Sequence, residues 1–181
     1  MRAAVATLCV FATLWFAFAL HATGSHLWLP YAVAVLISIS LFLGVPKYDA
    51  SSTVGRRHRA RVIGIASGVE ALAIIVAVFL IPPSQQMHWA APVVAAIVGL
   101  HFLPIARYLP YKPYYFAGIA LVCVAAAGAA IELAGWSDAA SQFVVGACSA
   151  FFLWMTSAAI VRDARRRAAI VRDARRRAAS G

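Results

Sequence analysis

Residues 114–135 read YYFAGIALVCVAAAGAAIELAG, twenty-two positions of which one, Glu132, is charged. A helix at the surface of a soluble protein keeps a polar face toward water. Here small and branched apolar residues run all the way round, over about the 20 residues needed to cross the hydrocarbon core of a bilayer. Outward from this run, five more segments of the same kind lie between charges, Pro or Gly: Ala3–Leu20, Leu27–Val45, Val62–Ile81, Trp89–Ala106 and Ala139–Val161. The 181-residue chain is 64% hydrophobic and 12% charged, with a mean hydropathy of +0.84. That is more apolar side chain than a soluble core of this size can hide. The expectation is an all-α polytopic membrane protein: a six-helix transmembrane domain over residues 1–161 and a basic cytoplasmic tail over 162–181.

The first segment imitates a signal peptide, with Ala17-Phe18-Ala19 placed like a cleavage box behind Arg2. Its apolar stretch exceeds the usual h-region of about 7–15 residues, so it is read as a retained helix. Lys and Arg test the threading, because they gather in cytoplasmic loops. Arg2 precedes the first span; Lys47, Arg56, Arg57, Arg59 and Arg61 separate the second and third; Arg107 and Lys112 separate the fourth and fifth; eight Arg follow the sixth. The other three connections, HATGSH, PPSQQMH and GWSDA, carry none. Six spans with both termini in the cytoplasm satisfy this pattern, in the cytoplasmic membrane of a cell whose Ala- and Arg-rich usage hints at a bacterium. Trp28, Trp89 and Trp136 at one set of ends, and Tyr48, Tyr108, Tyr111, Tyr114 and Tyr115 at the other, fit interfacial aromatic belts.

The tail repeats itself: AAIVRDARRR occupies residues 158–167 and again 168–177. Arg162, Arg165, Arg166 and Arg167 anchor the sixth helix, and Arg172, Arg175, Arg176 and Arg177 add contacts to anionic lipid headgroups, about 1 kcal/mol each near the surface. The second copy is expected to be helical, with Asp173 facing Arg176 and Arg177, and to lie along the membrane on Ile170, Val171, Ala174 and Ala178. Ten residues rotate the second copy by about 80° relative to the first, so the two cannot share one stripe. A tandem duplication tolerated by the membrane explains the repeat better than a two-copy binding surface. No nucleic-acid partner is expected, since a basic run beside a bilayer is a lipid-facing or solvated feature.

Glu70 lies about 13 Å along the third helix from Arg61, and His101 about 9 Å from Arg107 on the fourth. An ionisable group at such depth costs several kcal/mol unless paired or hydrated. The two are expected to meet, with Ser67 on the same helix as Glu70. Pro104, which has no N–H for the Leu100 carbonyl, is expected to kink the fourth helix beside them. Two readings of this cluster stand level: a centre that moves or senses a proton or small solute, and a structural pair that orients two helices. Gly64 and Gly68 form a GxxxG, a close-packing motif, about 120–160° round the helix from Glu70. Internal packing, with a central third helix packed on both sides, is the preferred expectation and homodimerisation the alternative; AAAGAA at 125–130 invites the same reading for the fifth.

Cys9, Cys123 and Cys148 fall inside spans without CxxC or Cys/His ligand spacing, so they read as small apolar side chains. His21, His26, His88, Glu132 and Asp138 lie near helix ends on one side, but their spacing matches no ligand motif. No metal and no cofactor are therefore expected. The absence of GxSxG, P-loop, GxGxxG or paired-carboxylate patterns argues against an enzyme, an intramembrane lipid enzyme ranking last.

Gly99, His101, Pro104, Arg107, Lys112, Tyr114, Tyr115 and Gly118, within GLHFLPIARYLPYKPYYFAGIAL at 99–121, resemble a segment found in small bacterial multi-pass membrane proteins of no assigned activity. The resemblance covers about an eighth of the chain and implies six or so membrane helices; since those proteins have no assigned activity, it carries over no catalytic role. Two functions follow as expectations. One is transport or sensing through Glu70 and His101, with Pro104 breaking a helix near the binding depth; no inverted repeat between the halves supports it. The other is a noncatalytic scaffold or accessory subunit. A homodimer or a larger membrane complex fits either.

Overall fold

A computed structural model describes residues 2–24, 27–46, 56–108 and 112–180, without the side chains of 56–60, 62, 85–87, 108 and 180. It is all-α: α1 (Arg2–Ala22), α2 (Trp28–Leu43), α3 (Arg56–Leu80), a 3₁₀ turn (Pro83–Gln85), α4 (Gln86–Tyr108), α5 (Pro113–Leu133) and α6 (Asp138–Ser180). Five of these, α1, α3, α4, α5 and α6, are long and apolar enough to cross a membrane. At 16 residues, α2 is about 24 Å long, short of the roughly 30 Å hydrocarbon core. It stops earlier than the expected Val45 because Pro46 disfavours helical backbone in the residue before it. Tyr48 and Tyr111 lie outside the described residues.

The bundle is organised round α6, which packs along α1 and α5 and touches α4 and α2. Its buried residues Ser141, Val145, Ser149, Leu153, Thr156 and Ile160 recur every three or four positions, the spacing of one helical face. Thr156 and the adjoining buried Ser157 bond within the helix, to the Phe152 carbonyl at 2.8 Å and the Leu153 carbonyl at 2.9 Å, whereas Ser141 donates across to the Gly128 carbonyl of α5 at 3.3 Å and Ser149 Oγ has no hydrogen-bond partner among the described residues. On α1 the matching stripe is Val5, Leu8, Ala12, Trp15 and Ala19.

This arrangement overturns the central position expected for α3. Among the described residues α3 packs on α4 and on no other helix. A Cβ added at Gly64 or Gly68 would meet nothing within 4 Å, so neither glycine serves internal packing. The close approaches lie elsewhere. A Cβ at Gly99 would come within 2.9 Å of the Gly118 carbonyl, where α4 and α5 cross. One at Gly146 would come within 2.8 Å of the Trp15 carbonyl of α1, and one at Gly128, inside AAAGAA, would collide with Val145. Small residues let helix backbones meet, but only where a partner helix actually arrives.

The start of α1 and the first repeat of the tail meet at one end of the bundle. Arg165 donates to the Gly44 carbonyl at 2.9 Å and Arg2 to that of Val45 at 3.4 Å. The two guanidinium groups thereby satisfy carbonyls at the C-terminus of α2, where the helix dipole favours cations. Arg165 thus has a protein acceptor in addition to any headgroup. Tyr114 is also not the belt residue expected: it is buried, its ring 5.7 Å from that of Phe102.

The 43 residues of α6 make a helix of about 65 Å, roughly twice the hydrocarbon thickness. No break separates span from tail, so the tail continues in line with the span rather than turning to lie along the surface. A sharp bend would need Pro, Gly or a bulge, and the sequence has neither Pro nor Gly between Gly146 and Gly181. Arg172 then stands about 16 Å of helix beyond Val161, past the Debye length of about 8 Å at physiological salt. Ile160 is fully buried in the first repeat, whereas its counterpart Ile170 is 68% exposed.

Candidate functional site

The α3–α4 seam holds the deepest ion pair described. His101 Nε2 lies 3.3 Å from Glu70 Oε2, and the two side chains keep only 10% and 14% of their exposure. The contact crosses the seam from α4 to α3, so it pins one helix to the other. The His101 ring in turn lies 6.0 Å from the Phe102 ring.

Ser67 and Pro104 do not complete this site: both side chains are exposed. The helical rotation explains it, since positions three away from Glu70 and His101 need not point into a seam only two helices wide. Pro104 sits inside an α4 that remains helical from Gln86 to Tyr108, as does Pro92. An apolar cleft of about 420 Å³ opens between α5 and α6, lined by Phe116, Ile119, Cys123, Ala127 and Phe152 among others. It includes neither member of the Glu70–His101 pair.

A second polar cluster, missed in the sequence, ties α1, α2 and α6 together. Ser38 accepts from Trp154 Nε1 at 3.0 Å, shares a 2.8 Å hydrogen bond with Thr13 and lies 3.3 Å from the Cys9 carbonyl. Isolated Ser and Thr in apolar runs carry no signal of where they point. In hydrocarbon, however, an unmet hydroxyl or indole N–H is costly.

At the end of the bundle opposite the tail, three of the five clustered helix-end residues come together. His88 in the first turn of α4 lies 2.8 Å from Asp138 Oδ1 and 3.3 Å from Glu132 Oε2, both through Nδ1. The link between α5 and α6 sets this up. Gly135, at φ +74°, ends α5 in a Schellman turn, with Trp136 N–H bonded to Ile131 O and Gly135 N–H to Glu132 O. Ser137 then caps α6 by accepting from Ala140 N–H at 3.3 Å, which brings Asp138 back over Glu132. His26 lies outside the described residues, and His21 is exposed and not in the cluster. No spacing rule could have found the trio, because its members come from three helices.

Comparison with protein-family models, with curated proteins and with solved structures finds no match.

Proposed function

We propose that the chain is a multi-pass protein of the bacterial cytoplasmic membrane, with both termini cytoplasmic, that serves as a noncatalytic scaffold or accessory subunit. In this reading Glu70–His101 is a clasp holding α3 to the rest of the bundle. The observation that carries it is the position of the pair: it sits on the seam between α3 and α4, the one helix on which α3 packs among the described residues. A polar pair at membrane depth is satisfied there by its own partner, at no need for a water-filled route. The orientation is supported by the convergence of Arg2 and Arg165 on the C-terminus of α2 together with the basic bias of the same end. The segment resembling small bacterial multi-pass proteins acquires packing work in this picture, through Gly99 and Gly118 at the α4–α5 crossing and Tyr114 against Phe102.

The test is proton flux in proteoliposomes under an imposed pH gradient, for the wild-type chain and for Glu70→Gln. The clasp reading expects no flux above that of empty vesicles in either. Flux through the wild type that Glu70→Gln abolishes, with the fold intact, would replace it with the proton-transport reading.

A further inference from the structure

We propose that His88, Glu132 and Asp138 form a binding site for a divalent transition-metal ion such as Zn²⁺, at the end of the bundle opposite the basic tail. The first argument is charge. Two carboxylates face one imidazole N–H, so a single proton is shared between Asp138 at 2.8 Å and Glu132 at 3.3 Å. The adjoining connections 82–88 and 135–139 contain no Lys or Arg; of the sixteen such residues in the chain, Arg2 precedes the first span, seven lie between the second and third or the fourth and fifth spans, and eight lie in the tail. No Lys or Arg of those two connections balances the pair of carboxylates.

The second argument is independent of the first. Glu132 keeps 4% of its side-chain exposure, and its Oε1 is buried without any hydrogen-bond partner. A carboxylate oxygen left unmet in a buried place costs free energy, and a cation bound within the trio removes that cost. The third argument is geometry. One ligand atom from each residue falls within 4.8 Å of the other two. Donors bound at about 2.0–2.2 Å in a tetrahedral site are about 3.3 Å apart, close to the 2.8 and 3.3 Å already present between Nδ1 and the carboxylates. Imidazole in the set favours Zn²⁺ and its first-row neighbours over Mg²⁺ or Ca²⁺, which prefer all-oxygen shells. Binding moves the imidazole proton from Nδ1 to Nε2 or to solvent and leaves at least one coordination position for water. It also ties together the ends of α4, α5 and α6, a region remote from the Glu70–His101 clasp, and does not depend on that reading.

The experiment uses the full chain in detergent, purified without a polyhistidine tag and stripped of metal, titrated with Zn²⁺ against a chromophoric chelator and with Co²⁺ by visible absorption. The expected result is one Zn²⁺ per chain and a tetrahedral Co²⁺ spectrum that Zn²⁺ displaces and millimolar Mg²⁺ does not. His88→Gln and Asp138→Asn, both at partly exposed side chains, should keep native helicity and weaken Zn²⁺ by at least about 100-fold, while His21→Gln leaves it unchanged. No stoichiometric Zn²⁺ on the wild type, or equal affinity in the well-folded His88→Gln and Asp138→Asn variants, would overturn the site.

Discussion

Replacing Gly99 by Ala tests the packing with the least chemical ambiguity. The new Cβ would lie 2.9 Å from the Gly118 carbonyl oxygen, the Val122 amide nitrogen and Val122 Cγ2. Ordinary carbon contacts begin near 3.4 Å, so α4 and α5 must separate by about 0.5 Å, and two of the three atoms are backbone that no rotamer change can move. Overpacking of this kind costs about 1–3 kcal/mol, a fall in melting midpoint of about 2–4 °C for each kcal/mol in a chain of this size. Gly64→Ala and Gly68→Ala serve as matched controls, because an added Cβ there meets nothing within 4 Å. They should be neutral, or stabilising by up to about 1 kcal/mol from helix propensity. The assay is thermal unfolding followed by intrinsic tryptophan fluorescence in one detergent at one protein concentration. A Gly64→Ala variant as destabilised as Gly99→Ala would refute the peripheral placement of α3 and restore the GxxxG as an internal contact.

Deleting residues 168–181 should change stability by no more than about 0.5 kcal/mol, since Ile170 is exposed, whereas Ile160→Ala in the buried first copy should cost about 2–5 kcal/mol; the same thermal assay measures both. Ser38→Ala should cost about 1–3 kcal/mol by leaving Trp154 Nε1 without its acceptor, and a blue-shifted tryptophan emission would accompany the loss. Arg165→Ala removes the donor to Gly44 O and should lower stability by about 1 kcal/mol, reflecting a charged but exposed bond; an unchanged midpoint would mean that the guanidinium belongs to the headgroups alone.

Hydropathy made the spans legible because the bilayer acts on each helix separately: a run of apolar residues records its solvent whatever its neighbours. The meeting of Glu70 and His101 was legible for a related reason, since two ionisable groups at similar depth on consecutive helices have few other ways to avoid an unpaired charge. What a run does not record is which of its faces meets protein. Gly64 and Gly68 look like packing residues and face open space, while Gly99, Gly118, Gly128 and Gly146 form the close crossings. The central place of α6 was hidden likewise, because Ser141, Ser149, Thr156 and Ser157 read as weak polar interruptions until the helix is seen surrounded. The unbroken tail followed from a missing Pro or Gly, a sign outweighed in the reading by the apolar edge of the second repeat. Chemistry assembled from single residues on three helices, as at His88, Glu132 and Asp138, leaves no spacing to read.

The most direct test of the clasp is a double-mutant cycle over Glu70→Gln and His101→Gln, read as unfolding free energy in bicelles. Coupling of about 0.6 kcal/mol, the average for polar pairs between membrane helices, and at most about 1.7 kcal/mol, is the predicted result, with vesicle proton flux at background throughout. Additive effects, with no coupling between the two positions, would contradict the account.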